Sequence, residues 1–367
     1  MRGYKRHYPI DYEGVSSVDL TKAQVAPLLL PFLSIHGAQT SRDALCNQQV
    51  QKRQSFQNKA QSYQRESRDQ LRRLTDDLRE LHGNSALPIL IDQEGGRVAR
   101  MQSPEWLSYP PAAVFESVFE QSPEAAIRAC RANFEALALD LAEVGITVTC
   151  APVLDVPVDG AHDVIGNRAF SRDPECVSAL GRACLEGLLA AGVDGVIKHI
   201  PGHGRAAADS HLVLPQVSAS LTELNNDLIP FKALADASMA MTAHVIYECW
   251  DSERCATLSP KVIRDVIRTE VGFDGLLMSD DLDMKALSGD IGDLAREAQA
   301  AGCDVVLNCW AKMDDMVAIA EKMSAPSSKT LERTQRVIRG LTNTYPSETL
   351  KARQQALLTK RDALLAL

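Results

Sequence analysis

The chain of 367 residues lacks any apolar run long enough to cross a bilayer. Its best candidate, "VAPLLLPFL" from Val25 to Leu33, is short and is interrupted by Pro27 and Pro31. No Cys-x-x-Cys pair occurs among nine scattered cysteines, so neither a disulfide framework nor a cysteine-based zinc site is expected. Positive charge is in deficit: the net charge of −9 argues against nucleic acid and anionic membrane surfaces as partners. No apolar stretch follows closely on the basic start, because the acidic "DYEG" intervenes, so no secretory signal is expected and the cytoplasm is the default. There is no G-x-G-x-x-G after an early strand, no phosphate-binding G-x-x-x-x-G-K-[ST] and no G-x-S-x-G, which removes three common enzyme plans.

What remains has the composition of an ordinary globular protein with ample core, with 45% hydrophobic and 24% charged residues. From about residue 86 apolar runs alternate with helical patterns. The runs are "LPILID", "GITVTCAPVLDV", "DGVIKH", "MAMTAHVIY", "FDGLLMSD" and "CDVVLNCW". Between them lie segments with i, i+3, i+4 apolar spacing, most of them ending at glycine. Continuous apolar strands are buried on both faces, so the pattern predicts a parallel sheet covered by helices. A single (β/α)8 barrel is the expected α/β fold, one domain over 1–367. Its first strand is expected to be irregular or missing, since "QVQKRQSF" is a poor strand ahead of the amphipathic helix that begins near Ser62. Residues 1–55 are atypical of such a domain, and 311–367 read as a helical C-terminal part.

Polar residues gather just past the strand runs, at the edge where barrel active sites lie. They include Asp92 and Glu94, with Arg97 and Arg100 beyond them, then Asp155, Arg168, Lys198 and His199, His244, and Asp280, Asp281 and Asp283. Taken singly, each has a structural reading: a strand-end aspartate often caps a helix, and an isolated histidine is more often a bonded core residue. Their recurrence at successive strand ends is what favours a site. His199, His203, His211 and Asp209 invite a metal-cluster reading, but Pro201, Gly202 and Gly204 deny His199 and His203 a shared helical face. Acid/base chemistry with a carboxylate nucleophile is the remaining candidate. In it Asp280 attacks carbon, and His211, oriented by Asp209, moves the proton.

In this order, "IDQEGGRVARM", "GNRAF", "KHIPGHGRAAADSH", "TAHVIY" and "MSDDLDM" resemble the family-3 glycoside hydrolases, and within them the bacterial β-N-acetylhexosaminidases. The likeness is legible from about residue 56 to about 310. It implies a monomeric barrel enzyme with neither metal nor organic cofactor. The expected activity is removal of terminal N-acetylglucosamine from small peptidoglycan fragments by a retaining mechanism. It further implies Asp280 as nucleophile, His211 with Asp209 as acid/base dyad, and Asp92, Arg100, Arg168, Lys198 and His199 as sugar-binding residues. Ile200, Asp283 and Lys285 depart from the usual pattern and are expected to tune the pocket. Two rival readings are a phosphorylase, because a histidine acid/base leaves room for phosphate, and a catalytically impaired sugar-binding protein.

Overall fold

The structure, a computed structural model, describes residues 33–34, 67–310, 312–341 and 349–367. Its centre is a seven-stranded sheet: β1 (Leu33–Ser34), β2 (Ile89–Ile91), β3 (Val148–Thr149), β4 (Asp194–Ile200), β5 (Met239–Thr242), β6 (Leu276–Asp281) and β7 (Val305–Leu307). Every pairing is parallel, and each strand lies beside its successor in the chain. Sequential order without a reversal is the winding of a (β/α)8-type barrel, not of a doubly wound sheet.

The six apolar runs of the sequence each supply one strand of this sheet, and "MAMTAHVIY" adds a short second strand, Ile246–Tyr247, outside it. The first strand is present, though only two residues long: Leu33 pairs with Ile89 and Ser34 with Leu90. It lies at the end of the "VAPLLLPFL" run and not in "QVQKRQSF", which falls outside the described residues, as does the expected helix start at 62–66. None of the described helices is long and apolar enough to cross a membrane.

Strand side chains divide between two cores. Leu90, Val148, Val196, Met241, Met278 and Leu307 fill the lumen with Cys150, and Cys309 packs against them. The opposite strand faces meet the helical layer. Its longer α-helices are α1 (Arg68–His82), α2 (Pro123–Glu143), α3 (Pro174–Ala190), α4 (Leu221–Asp227), α5 (Ile291–Ala301), α6 (Met313–Lys322), α7 (Ser328–Gly340) and α8 (Thr349–Leu365), and two short ones lie at Glu116–Gln121 and Ile229–Ala233. Val262–Glu270, expected as an ordinary helix, is a π-helix.

Helix boundaries follow local chemistry. Ser67 caps α1 by accepting from the Gln70 amide, and Ser220 with Glu223 forms a capping box at α4. Helix α2 is alanine-rich and buried on most of its surface, because α3 and α8 cover it on two sides. Gly187 permits the close approach of α3, since a Cβ there would sit 2.4 Å from the Arg131 carbonyl oxygen. On the other side Gln354 of α8 donates to the Tyr109 hydroxyl and to the Ala136 carbonyl at 3.1 and 2.9 Å. The C-terminal helix therefore seals the early half of the barrel. In the late half, α7 contributes Val337 to the lumen cluster itself.

Candidate active site

The C-terminal ends of the strands carry the charged residues, and burial forces those charges into partnership. Glu94 lies in a short hairpin just past β2, formed by Gln93–Gly95 and Val98–Ala99. Its two carboxylate oxygens accept from Arg168 Nε and Nη2, both at 2.9 Å, and Lys198 Nζ of β4 sits 2.6 Å from Oε1. Burial alone would raise the Glu94 pKa, but the two cations outweigh it and hold the carboxyl below its ordinary value. Lys198 is likewise kept charged against burial, first by Glu94 and then by Asp92.

Asp92, between β2 and the hairpin, extends the network toward solvent. It is 3.5 Å from both Lys198 Nζ and Arg100 Nη2. The hairpin side chain Gln93 fixes this corner by accepting the Arg100 and Met101 amides at 2.7 and 3.0 Å. Four of the expected sugar-binding residues, Asp92, Arg100, Arg168 and Lys198, are thus brought to one place. The residue at their centre, Glu94, is one that the sequence places just past a strand end without assigning it to the sugar. The available signal was charge balance: two cations destined for burial need more than the one partly exposed Asp92.

His199, the fifth, belongs to a second network. Asp155, fully buried in the loop after β3, accepts from His199 Nδ1 at 2.7 Å and from the His199 and His203 amides at 3.1 and 2.7 Å. Burial would raise the Asp155 pKa, but His199 and these bonds bring it down to about 2. His203 is buried and neutral, its pKa pushed down to about 4 chiefly by burial. These two histidines answer to a shared aspartate and sit 5.7 Å apart, ring to ring.

Asp280 is partly exposed near the end of β6. Burial opposes its charge, yet His244, His199 and Lys198, with the Asp281 amide at 2.8 Å, keep its pKa below the ordinary value. A carboxylate ionised at neutral pH is the form a nucleophile requires. His244 supports this point from just past β5, donating from Nε2 to the Asp281 carbonyl at 3.0 Å, with Thr257 at 2.7 Å from Nδ1. Asp281 turns inward instead and accepts the Cys309 amide at 2.9 Å. Asp283 pairs with Lys312 at 3.5 Å.

The dyad is formed: His211 Nδ1 is 2.8 Å from Asp209 Oδ1, and the His211 amide donates to the same oxygen. The His211 ring is 61% exposed, so it sits at the mouth and not within the charged cradle. The run from Gly202 to Ala208, read as a slack span, is tethered. Arg205 Nε meets Asp227 at 2.6 Å, and the Gly204 and Ala206 carbonyls accept from Val158 and His162. Gly204 packs so closely that a Cβ would meet the Val156 oxygen at 2.0 Å, so here glycine serves contact more than motion.

The C-terminal ends of this parallel barrel bring together a buried ionic cradle, a bonded histidine–aspartate pair and Asp280, at the edge where barrel enzymes carry their active sites. The sequence profile of the glycosyl hydrolase family 3 N-terminal domain matches residues 22–340, a wider span than the motifs alone delimit, and the chain belongs to that family of glycoside hydrolases. It is 39% identical over 256 residues to a beta-hexosaminidase of Chromobacterium violaceum, covering 68% of this chain and 71% of that one. A beta-hexosaminidase of Methylococcus capsulatus is 40% identical over 248 residues, 65% and 72% of the two chains. Among solved structures, NagZ of Neisseria gonorrhoeae in complex with N-trifluoroacetyl-D-glucosamine superposes with a TM-score of 0.72 at 31% identity, over 81% of this chain and 88% of that one.

Proposed function

We propose that this protein is a retaining, exo-acting β-N-acetylglucosaminidase that releases terminal N-acetylglucosamine from peptidoglycan fragments during cell-wall recycling in the cytoplasm. The observation that carries the reading is that Asp280, near the end of β6, and the bonded His211–Asp209 pair, in the loop after β4, both lie at the C-terminal side of the strands. The beta-hexosaminidase relatives and the glucosamine-bound neighbour support the choice of sugar.

The terminal sugar rests in the cradle of Asp92, Arg100, Arg168 and Lys198, where Lys and Arg each offer several donors to hydroxyl and acetamido oxygens. Asp280 attacks the anomeric carbon while the bond to the leaving oxygen breaks. His211 gives that oxygen its proton. Asp209 holds the ring by Nδ1 and stabilises the imidazolium before transfer. A water then enters, His211 takes its proton, and the hydroxide displaces Asp280 from the sugar. Two inversions at one carbon retain the configuration.

Turnover of 4-nitrophenyl β-N-acetylglucosaminide tests the reading. Wild type should release nitrophenol and free sugar, and Asp280→Ala almost none. Equal rates would remove Asp280 from its role. A sugar phosphate formed only with added phosphate would convert the reading to phosphorolysis.

A further inference from the structure

The Asp209–His211 hydrogen bond holds the imidazole to its own loop and leaves open what holds the loop to the barrel. The same is true of the turn that carries the dyad, in which the Leu212 and Val213 amides donate to the Asp209 carbonyl at 2.9 and 3.0 Å. With His211 61% and Asp209 22% exposed, neither side chain is fixed by packing. Between them stands Ser210, which is 3% exposed. Its hydroxyl lies 3.1 Å from Nε2 of the equally buried His203, and its carbonyl accepts the Ala286 amide at 3.2 Å. Ala286 belongs to the loop that follows Asp280. His203 in turn is anchored by its amide to Asp155, the same carboxylate that orients His199.

We propose that Ser210 is the positioning residue of the acid/base dyad, locking the exposed Asp209–His211 turn onto the barrel through a buried bond to His203 and a backbone bond to the loop behind the nucleophile. This rests on the reading of His211 as acid/base. The chain His199–Asp155–His203–Ser210–Ala286 ties the sugar-binding strand end, the proton-transfer turn and the nucleophile loop into one frame. A buried hydroxyl left unpaired is destabilising, so burial itself favours the locked position. Displacing a catalytic group by about 1 Å costs roughly 100-fold in rate.

The test separates proton transfer from general damage by leaving-group ability, read as kcat/KM, which reports the glycosylation half-reaction. The phenyl glycoside needs a proton on its leaving oxygen, and the 2,4-dinitrophenyl glycoside departs without one. Ser210→Ala should lose roughly 100-fold on the phenyl substrate and less than about threefold on the dinitrophenyl one. Ser210→Thr, which keeps the hydroxyl, should recover most of the loss. His203→Asn keeps the amide bond to Asp155 but ends short of Ser210, so it should reproduce the selective loss, and the double variant should be no worse than the poorer single. Equal losses on both substrates with an unchanged melting temperature, or losses that add in the double variant, would overturn the proposal. If wild type leaves the dinitrophenyl substrate untouched, the glycosidase reading has failed instead.

Discussion

Arg168 grips Glu94 through two parallel hydrogen bonds of 2.9 Å, and the two side chains are only 10% and 7% exposed. Two nitrogens on two oxygens in a plane is the geometry for which a guanidinium is suited and an ammonium is not. Lys198 completes the triad from the other side. Glu94 thus lets two buried cations coexist side by side.

Removing that carboxylate should expose the conflict. Glu94→Ala leaves Lys198 and Arg168 buried against each other, and breaking a buried ionic network by one member costs about 3–5 kcal/mol. Urea unfolding at neutral pH should show a loss of that size together with a raised KM. A loss below about 1 kcal/mol would mean that water or a neighbouring carboxylate replaces Glu94.

The dyad carries a different expectation. Asp209→Asn keeps a carbonyl oxygen opposite His211 Nδ1 but removes the charge that stabilises the imidazolium. General acid/base catalysis contributes about 100- to 10,000-fold, so kcat/KM for the phenyl glycoside should fall within that range while the fold holds. His211→Ala should fall as far, and the double variant no further. Full activity in Asp209→Asn would leave the aspartate only as a loop brace.

Two buried groups near the site should give the protein opposing responses to pH. Burial lifts the Asp281 pKa to about 6, so between about pH 4 and 6 the folded state binds more protons than the unfolded one. Stability from this group is present at low pH and lost as pH rises through 6. His203, depressed to about 4, does the reverse: its unfolded form takes the proton first, so its contribution is lost as pH falls from about 6.5 to 4. Each amounts to something on the order of 3 kcal/mol, and in the wild type they oppose each other. Relative to wild type, Asp281→Asn should gain stability as pH rises from 4 to 6, and His203→Asn should gain as pH falls through that window. Urea midpoints at four pH values check this, and curves parallel to wild type would dismiss both assignments.

How much of this was legible beforehand depends on distance along the chain. The strands could be read because each is a continuous apolar run, and the dyad because Asp209 and His211 are two residues apart. Ser210 lay in plain view between them but carried no signal until its burial was known. Glu94 and Arg168 are 74 residues apart, and Asp155 and His199 are 44 apart. Such pairs become partners only when the barrel rolls their strand ends together. The first strand escaped notice for another reason. Leu33 ends, and Ser34 directly follows, a proline-broken run that was measured against a membrane and not against a two-residue strand.

The role proposed for Asp280 admits a test that loss of activity alone does not supply. In Asp280→Ala the face of the sugar that the carboxylate would attack is left open, and a small anion can enter there. With the dinitrophenyl glycoside, whose leaving group departs unaided, azide should restore turnover by displacing it directly. One displacement inverts the anomeric carbon where two retain it, so the product must be the α-glycosyl azide. Wild type should give β-configured products only. Recovery of a β-azide from the variant would mean that another side chain still forms the covalent intermediate. Asp281 is the neighbour best placed by sequence, but its carboxylate is turned inward onto the Cys309 amide, and burial keeps its pKa at about 6, which suits it poorly to that role.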